Sequence, residues 1–164
     1  MRRSCLLALV LVLAAFNAAG ADAPPSPPSD PARDIAACVD RAAADFGVSK
    51  LLILLILDVE GGWVGASMRN TNGTYDYGPM QINSSWLPKL ARFGITADLL
   101  QHHACTNIYT GTWLLAKLSR EHASIVDVIA HYHSPTRKHQ IRYLGRVEQR
   151  VRARLAALAQ DQAP

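Results

Sequence analysis

The chain has 164 residues, 17 basic and 13 acidic side chains, a formal net charge of +4, and 49% hydrophobic residues. That length holds one domain with appendages rather than several domains. The charge is too mild to define a partner by itself, and no apolar stretch reaches the ~20 residues of a comfortable membrane span.

Residues 1–21 read as a secretory signal peptide. Arg2 and Arg3 form its basic start, Leu6 to Phe16 its short apolar stretch, and Ala19-Gly-Ala21 its small-residue cleavage site. No lipobox cysteine follows, so a lipid anchor is not expected. Removing Arg2 and Arg3 lowers the net charge by two, to +2. Cys5 leaves with the signal, and the mature chain keeps Cys38 and Cys105. Two cysteines in an exported domain point to one disulfide, the alternative being two separately buried thiols. Residues 22–33, rich in proline, read as an extended spacer unable to form a core.

The domain proper is expected over 34–160. Asp34 is a candidate N-cap for a helix carrying Ile35, Cys38, Val39, Ala42 and Phe46 on one face, stopped by Gly47. Ser49 caps the next helix, Lys50 to about Val59, whose leucine-rich run is apolar all round and reads as central. Asn72-Gly73 marks a turn, and Arg69 to Ile82 reads as one small irregular β-hairpin. Ser84 or Ser85 caps a short helix with Trp86 and Leu87, and Thr96 caps another over Ala97 to Leu100. A longer helix follows over Ala104 to Ser119, with Ile108, Thr112, Leu115 and Ala116 on one face. Ser124 opens a helix through Val128, Ile129 and Tyr132. Pro135 ends it, and Thr136 starts a C-terminal helix through Tyr143, Val147 and Val151. The fold class is mainly α (α+β), with one minimal sheet. Arg137, Lys138, Arg142, Arg146, Arg150, Arg152 and Arg154 crowd the last helix. Such a face suits an anionic polymer or surface, or it is simply solvated.

The chemistry concentrates around Glu60. It follows an apolar helix, where desolvation disfavours the charged carboxylate and can keep it protonated as a general acid. The hairpin after it supplies hydrogen-bonding groups from Asn70, Asn72, Thr74, Asp76, Gln81 and Asn83, and flat surfaces for sugar rings from Tyr75 and Tyr77. One acid facing a polar hairpin is a layout for glycan cleavage.

Glu60-Gly-Gly-Trp63, followed by Asn70-Thr-Asn-Gly-Thr-Tyr-Asp-Tyr-Gly-Pro-Met-Gln-Ile-Asn83, resembles the lysozyme-like lytic transglycosylase (SLT) domain. The likeness is to the small specialised enzymes that accompany conjugation, type III secretion and type IV pilus systems. Cys105-Thr-Asn-Ile108, Leu114-Leu-Ala-Lys-Leu118 and Ala130-His-Tyr-His-Ser134 extend it, from about Cys38 to Val151. The resemblance implies a periplasmic enzyme that cuts the N-acetylmuramic acid–N-acetylglucosamine bond of peptidoglycan without water, leaving 1,6-anhydro ends. Glu60 would be the sole acid and then base. Met80 and Gln81 would line the glycan site, with Tyr132 in the family's Tyr-Asn block and Tyr143 as the late tyrosine near the acid. Implied partners are peptidoglycan strands and a trans-envelope machine, with no cofactor and no nucleic acid.

Three positions depart from the family pattern: Gly61 replaces a serine, Pro79 a leucine, and His133 an asparagine. Asp76 opens a second enzymatic reading. Its neighbourhood also resembles the hairpin of animal-type lysozymes, and a carboxylate about 5 Å from Glu60 would allow retaining hydrolysis. The simpler role is an aspartate that hydrogen-bonds the hairpin backbone. A third reading is a peptidoglycan-binding scaffold of weak activity. The six histidines show no His-Glu-x-x-His spacing, so no metal site is expected.

Overall fold

The computed structural model describes residues 31–161; the expected signal peptide and all of the spacer before residue 31 lie outside them. Helix α1 spans Pro31–Phe46 and α2 Lys50–Glu60. A small sheet follows, with strands β1 Ser67–Arg69, β2 Tyr75–Tyr77 and β3 Ile82–Asn83. The remaining helices are α3 Leu87–Leu90, α4 Ala97–His102, α5 Ala104–Glu121, α6 Ile125–His133 and α7 Arg137–Asp161.

Helix starts and stops follow local chemistry. Gly47 takes a left-handed φ of 64° after α1, the conformation glycine adopts without penalty. Thr96 Oγ1 accepts from Leu99 N–H, and Ser124 Oγ from Val126 N–H, as their cap positions predict. Three expectations change. Helix α1 opens at Pro31, ahead of Asp34, so it takes in the last residues assigned to the spacer; proline is favoured in the first turn, where its missing N–H has no partner to lose. Asn83, rather than Ser84 or Ser85, caps the 3-10 turn Ser84–Trp86, accepting from Ser85 N–H. Finally, α2 is not central. It buries one stripe, Leu52, Ile53, Ile56 and Val59, while Leu51 is 78% exposed. An unbroken apolar run conceals which stripe its neighbours cover.

The core gathers α1, α2, α5, α6 and α7 around Val39, Ile53, Ile56, Ile108, Leu115, Val128 and Tyr143. Cys38 of α1 and Cys105 of α5 form the expected disulfide, with Cα atoms 5.2 Å apart. Part of the basic face of α7 is neutralised within the chain. Arg154 makes two hydrogen bonds to the Asp58 carboxylate of α2, at 3.1 and 3.2 Å, and Arg152 pairs with Glu148.

The sheet has three antiparallel strands in the order β1-β2-β3, one more than a single hairpin. Met68 pairs with Asp76 and, on the other edge, Asp76 with Asn83. The tight loop between β2 and β3 adds the third strand. Gly78 begins it at φ 66°, and a Cβ there would collide with the Leu100 carbonyl and the Asn107 amide. Only glycine fits. Pro79 takes the next position, where its fixed φ suits a turn, and Gln81 N–H closes the turn on Gly78 O at 3.1 Å.

Candidate active site

Glu60 is the last residue of α2. Gly61 follows at φ 63° in a left-handed cap, its N–H bonded to Leu57 O, which stops the helix there. The side chain enters a cleft of about 630 Å³. One wall is the polar hairpin, with Asn70, Thr74, Asp76, Gln81 and Asn83. The other comes from α5 and α6, with Leu114, Lys117, Leu118, His131, Tyr132 and His133. Glu60 Oε1 is buried and has no hydrogen-bond partner among the described residues. Burial pushes the carboxyl up to about 7, against smaller downward influences from the Tyr143 hydroxyl and Arg146, with a further upward push from Asp76. A carboxyl of that kind holds its proton near neutrality and can give it to a leaving oxygen.

Asp76 shares the cleft but is held by amides rather than by the backbone. Its Oδ2 accepts from Asn70 Nδ2 at 2.9 Å and its Oδ1 from Asn83 Nδ2 at 2.7 Å. Asn83 Nδ2 also donates to Thr74 Oγ1. The carboxylate thus ties β2 to the residues on either side of it.

The other sequence-singled residues divide by location. Gln81 lines the cleft with a strained φ of 50°, its Nε2 donating to Gly78 O at 2.8 Å. Tyr132 lines the cleft with its ring, while its hydroxyl donates to Met80 O at 2.9 Å. Met80 does not reach the cleft: its side chain is fully buried, under α5 at Gly111. Tyr143 is also fully buried, beside Glu60, and its hydroxyl lacks a hydrogen-bond partner among the described residues. Burial and the adjacent carboxylate hold that phenol well above its ordinary value. Tyr75 and Tyr77 stack on each other, centroids 6.2 Å apart, and neither lines the cleft.

Sequence reasoning gave no site role to Asn107 or, on the far wall, to Leu114, Lys117 and Leu118. Asn107 is fully buried on α5, accepts from Met80 N–H at 2.8 Å, and donates to Tyr77 O and Leu100 O at 2.7 and 2.8 Å. One amide therefore holds both ends of the β2–β3 loop, a role no local pattern announces. Leu114, Lys117 and Leu118 were within reach, because their i, i+3, i+4 spacing puts them on one helix face. Among the described residues no group of three or more His, Cys, Asp or Glu side chains is placed to hold a metal ion.

A mainly helical domain with a small sheet and an acid at the end of a helix packed by one face on the core, beside a polar cleft, has the lysozyme-like architecture. The chain belongs to the transglycosylase SLT domain family, whose model matches residues 37–151. It is similar to Protein IpgF of Shigella flexneri, 26% identical over 125 residues covering 73% of this chain and 82% of that protein. It is also similar to the X polypeptide of Escherichia coli, 31% identical over 106 residues covering 64% of this chain and 63% of that protein.

Proposed function

We propose that the protein is a peptidoglycan lytic transglycosylase of the periplasm, with Glu60 as its sole acid and base. The observation that carries this reading is the Glu60 carboxyl: buried, unpaired at Oε1, raised to about 7 and opening on a cleft of about 630 Å³ lined by amides and hydroxyls. Glu60 gives its proton to the N-acetylglucosamine O4 as the bond from the muramic C1 breaks. The resulting carboxylate stabilises the positive charge on the ring. It then takes the proton of the muramic 6-hydroxyl as O6 bonds to C1, closing the 1,6-anhydro ring. Glu60 ends protonated, and no water is consumed.

Asn70, Thr74, Gln81 and Asn83 on one wall and Tyr132 on the other are the proposed glycan contacts. Tyr143 acts on Glu60 from the protein side. Met80 and Tyr77 support the wall rather than touch sugar, on the burial and stacking described above. Asp76 is already engaged through both oxygens, which favours ring closure over a mechanism needing it as a nucleophile. The likeness to specialised transglycosylases and the expected signal peptide support a role in locally opening the wall for a trans-envelope machine.

Mass spectrometry of digested sacculi tests the chemistry. Anhydro-ended muropeptides are expected. Free reducing ends would overturn ring closure in favour of hydrolysis, the reading in which Asp76 joins Glu60, and binding without soluble product would favour the scaffold.

A further inference from the structure

Tyr143 has no exposed surface, yet it lies beside the cleft that Glu60 enters. What covers it is a residue on the neighbouring helix. The His133 imidazole, at the end of α6, lies parallel to the Tyr143 ring, with centroids 4.3 Å apart and 5° between the planes. His133 is itself exposed and lines the cleft. An exposed ring stacked flat on a fully buried one is the cover on that face. The Arg146 guanidinium lies 5.1 Å from the Tyr143 ring centroid.

We propose that His133 is a positioning residue: its stacked imidazole seals Tyr143 from the cleft and so keeps water from the buried side of Glu60. This role rests on Glu60 being the catalytic acid, and it accounts for an imidazole where the family pattern has an amide. A planar ring covers a phenol face more completely than a carboxamide does. The cover also has to stay uncharged, because a second cation in addition to Arg146 would further favour the Glu60 carboxylate. Desolvation of its stacked face and the nearby Arg146 guanidinium hold His133 below its ordinary value, against the opposing pull of Asp76, with His139 also lowering it. The titratable and charged groups around Glu60 and its cleft are Asp76 from β2, Lys117 from α5, His131, Tyr132 and His133 from α6, and His139, Tyr143 and Arg146 from α7.

The test compares wild type, His133→Ala and His133→Phe, all checked for native circular dichroism. Two readouts are used: the Glu60 carboxyl titration by 13C NMR, and kcat and KM on soluble glycan strands. In His133→Ala the Glu60 midpoint is expected to fall by about one unit, since burial is the largest influence raising it. In the same variant kcat falls on the order of tenfold with KM within about twofold. His133→Phe, which keeps the stack and removes the ring nitrogens, restores the midpoint and most of the lost kcat. An unchanged Glu60 midpoint in His133→Ala would overturn the proposal. So would a His133→Phe as impaired as His133→Ala, or a rise in KM at constant kcat, which would make the imidazole a substrate ligand. If wild type turns over no glycan, the functional reading fails, while the titration still decides whether His133 seals the site.

Discussion

At the scale of single residues, the role proposed for Glu60 predicts both the activity and its pH response. Glu60→Gln keeps the shape of the side chain and removes its proton chemistry, so muropeptide release should fall by at least about a hundredfold with the fold intact. Turnover assays alongside circular dichroism check this. The acid works protonated, so kcat/KM should decline as pH rises through about 7. Stability follows the same proton. The folded carboxyl keeps it to about 7 while the unfolded chain releases it near 4.5, so between those values the folded state binds more protons. Stability is therefore full below the lower value and is lost as pH rises through the upper one, by up to ~3 kcal/mol. Glu60→Gln should flatten that slope, as urea unfolding at pH 4 and pH 8 would reveal. Glu60 was legible because its position after an apolar run is a local property. The burial of Met80 was not, because it depends on Gly111, far along the chain. Gly61 reads as a lost hydroxyl in sequence and as a left-handed cap in structure. Gly61→Ser should cost about 1 kcal/mol despite the open space around it, measured as a lowered urea midpoint.

At the scale of elements, the β2–β3 loop stands on one buried amide. Asn107→Ala removes three hydrogen bonds and leaves the Met80 N–H and two carbonyls unpaired in the interior. The expected loss is about 2–4 kcal/mol, with activity falling further because Gln81 and Tyr132 are placed by the same loop. Differential scanning calorimetry and turnover at a temperature where the variant is folded separate the two effects. Helix bounds were largely readable from Gly47, Thr96, Ser124 and Pro135, whose signals act within one turn. The third strand was not readable. Its pairing of Tyr77 with Ile82 needs the turn at Gly78, and that turn is set by Asn107 and Leu100.

Across the whole molecule, the Cys38–Cys105 bridge joins α1 to α5 over a sequence separation of 67 residues. Closing a loop of that length restricts the unfolded chain, and replacing both cysteines by serine should cost about 4 kcal/mol. Guanidinium unfolding of the double variant against the oxidised protein measures it. The expected export and the cysteine count were enough to anticipate the bridge. The ion pair between Asp58 and Arg154 was invisible in sequence, since 96 positions separate the partners. Both lie at the surface, and Arg154→Ala should change stability by less than about 1 kcal/mol.

The left-handed turn at Gly61 has one more effect. By ending α2 directly after Glu60, it leaves the helix's last carbonyls pointing past the acid, and those carbonyls are the negative pole of the helix. A carboxylate formed there meets that field as well as the loss of water. The acid is thus biased toward its protonated form by the backbone that carries it, a bias that no side-chain substitution in the cleft removes.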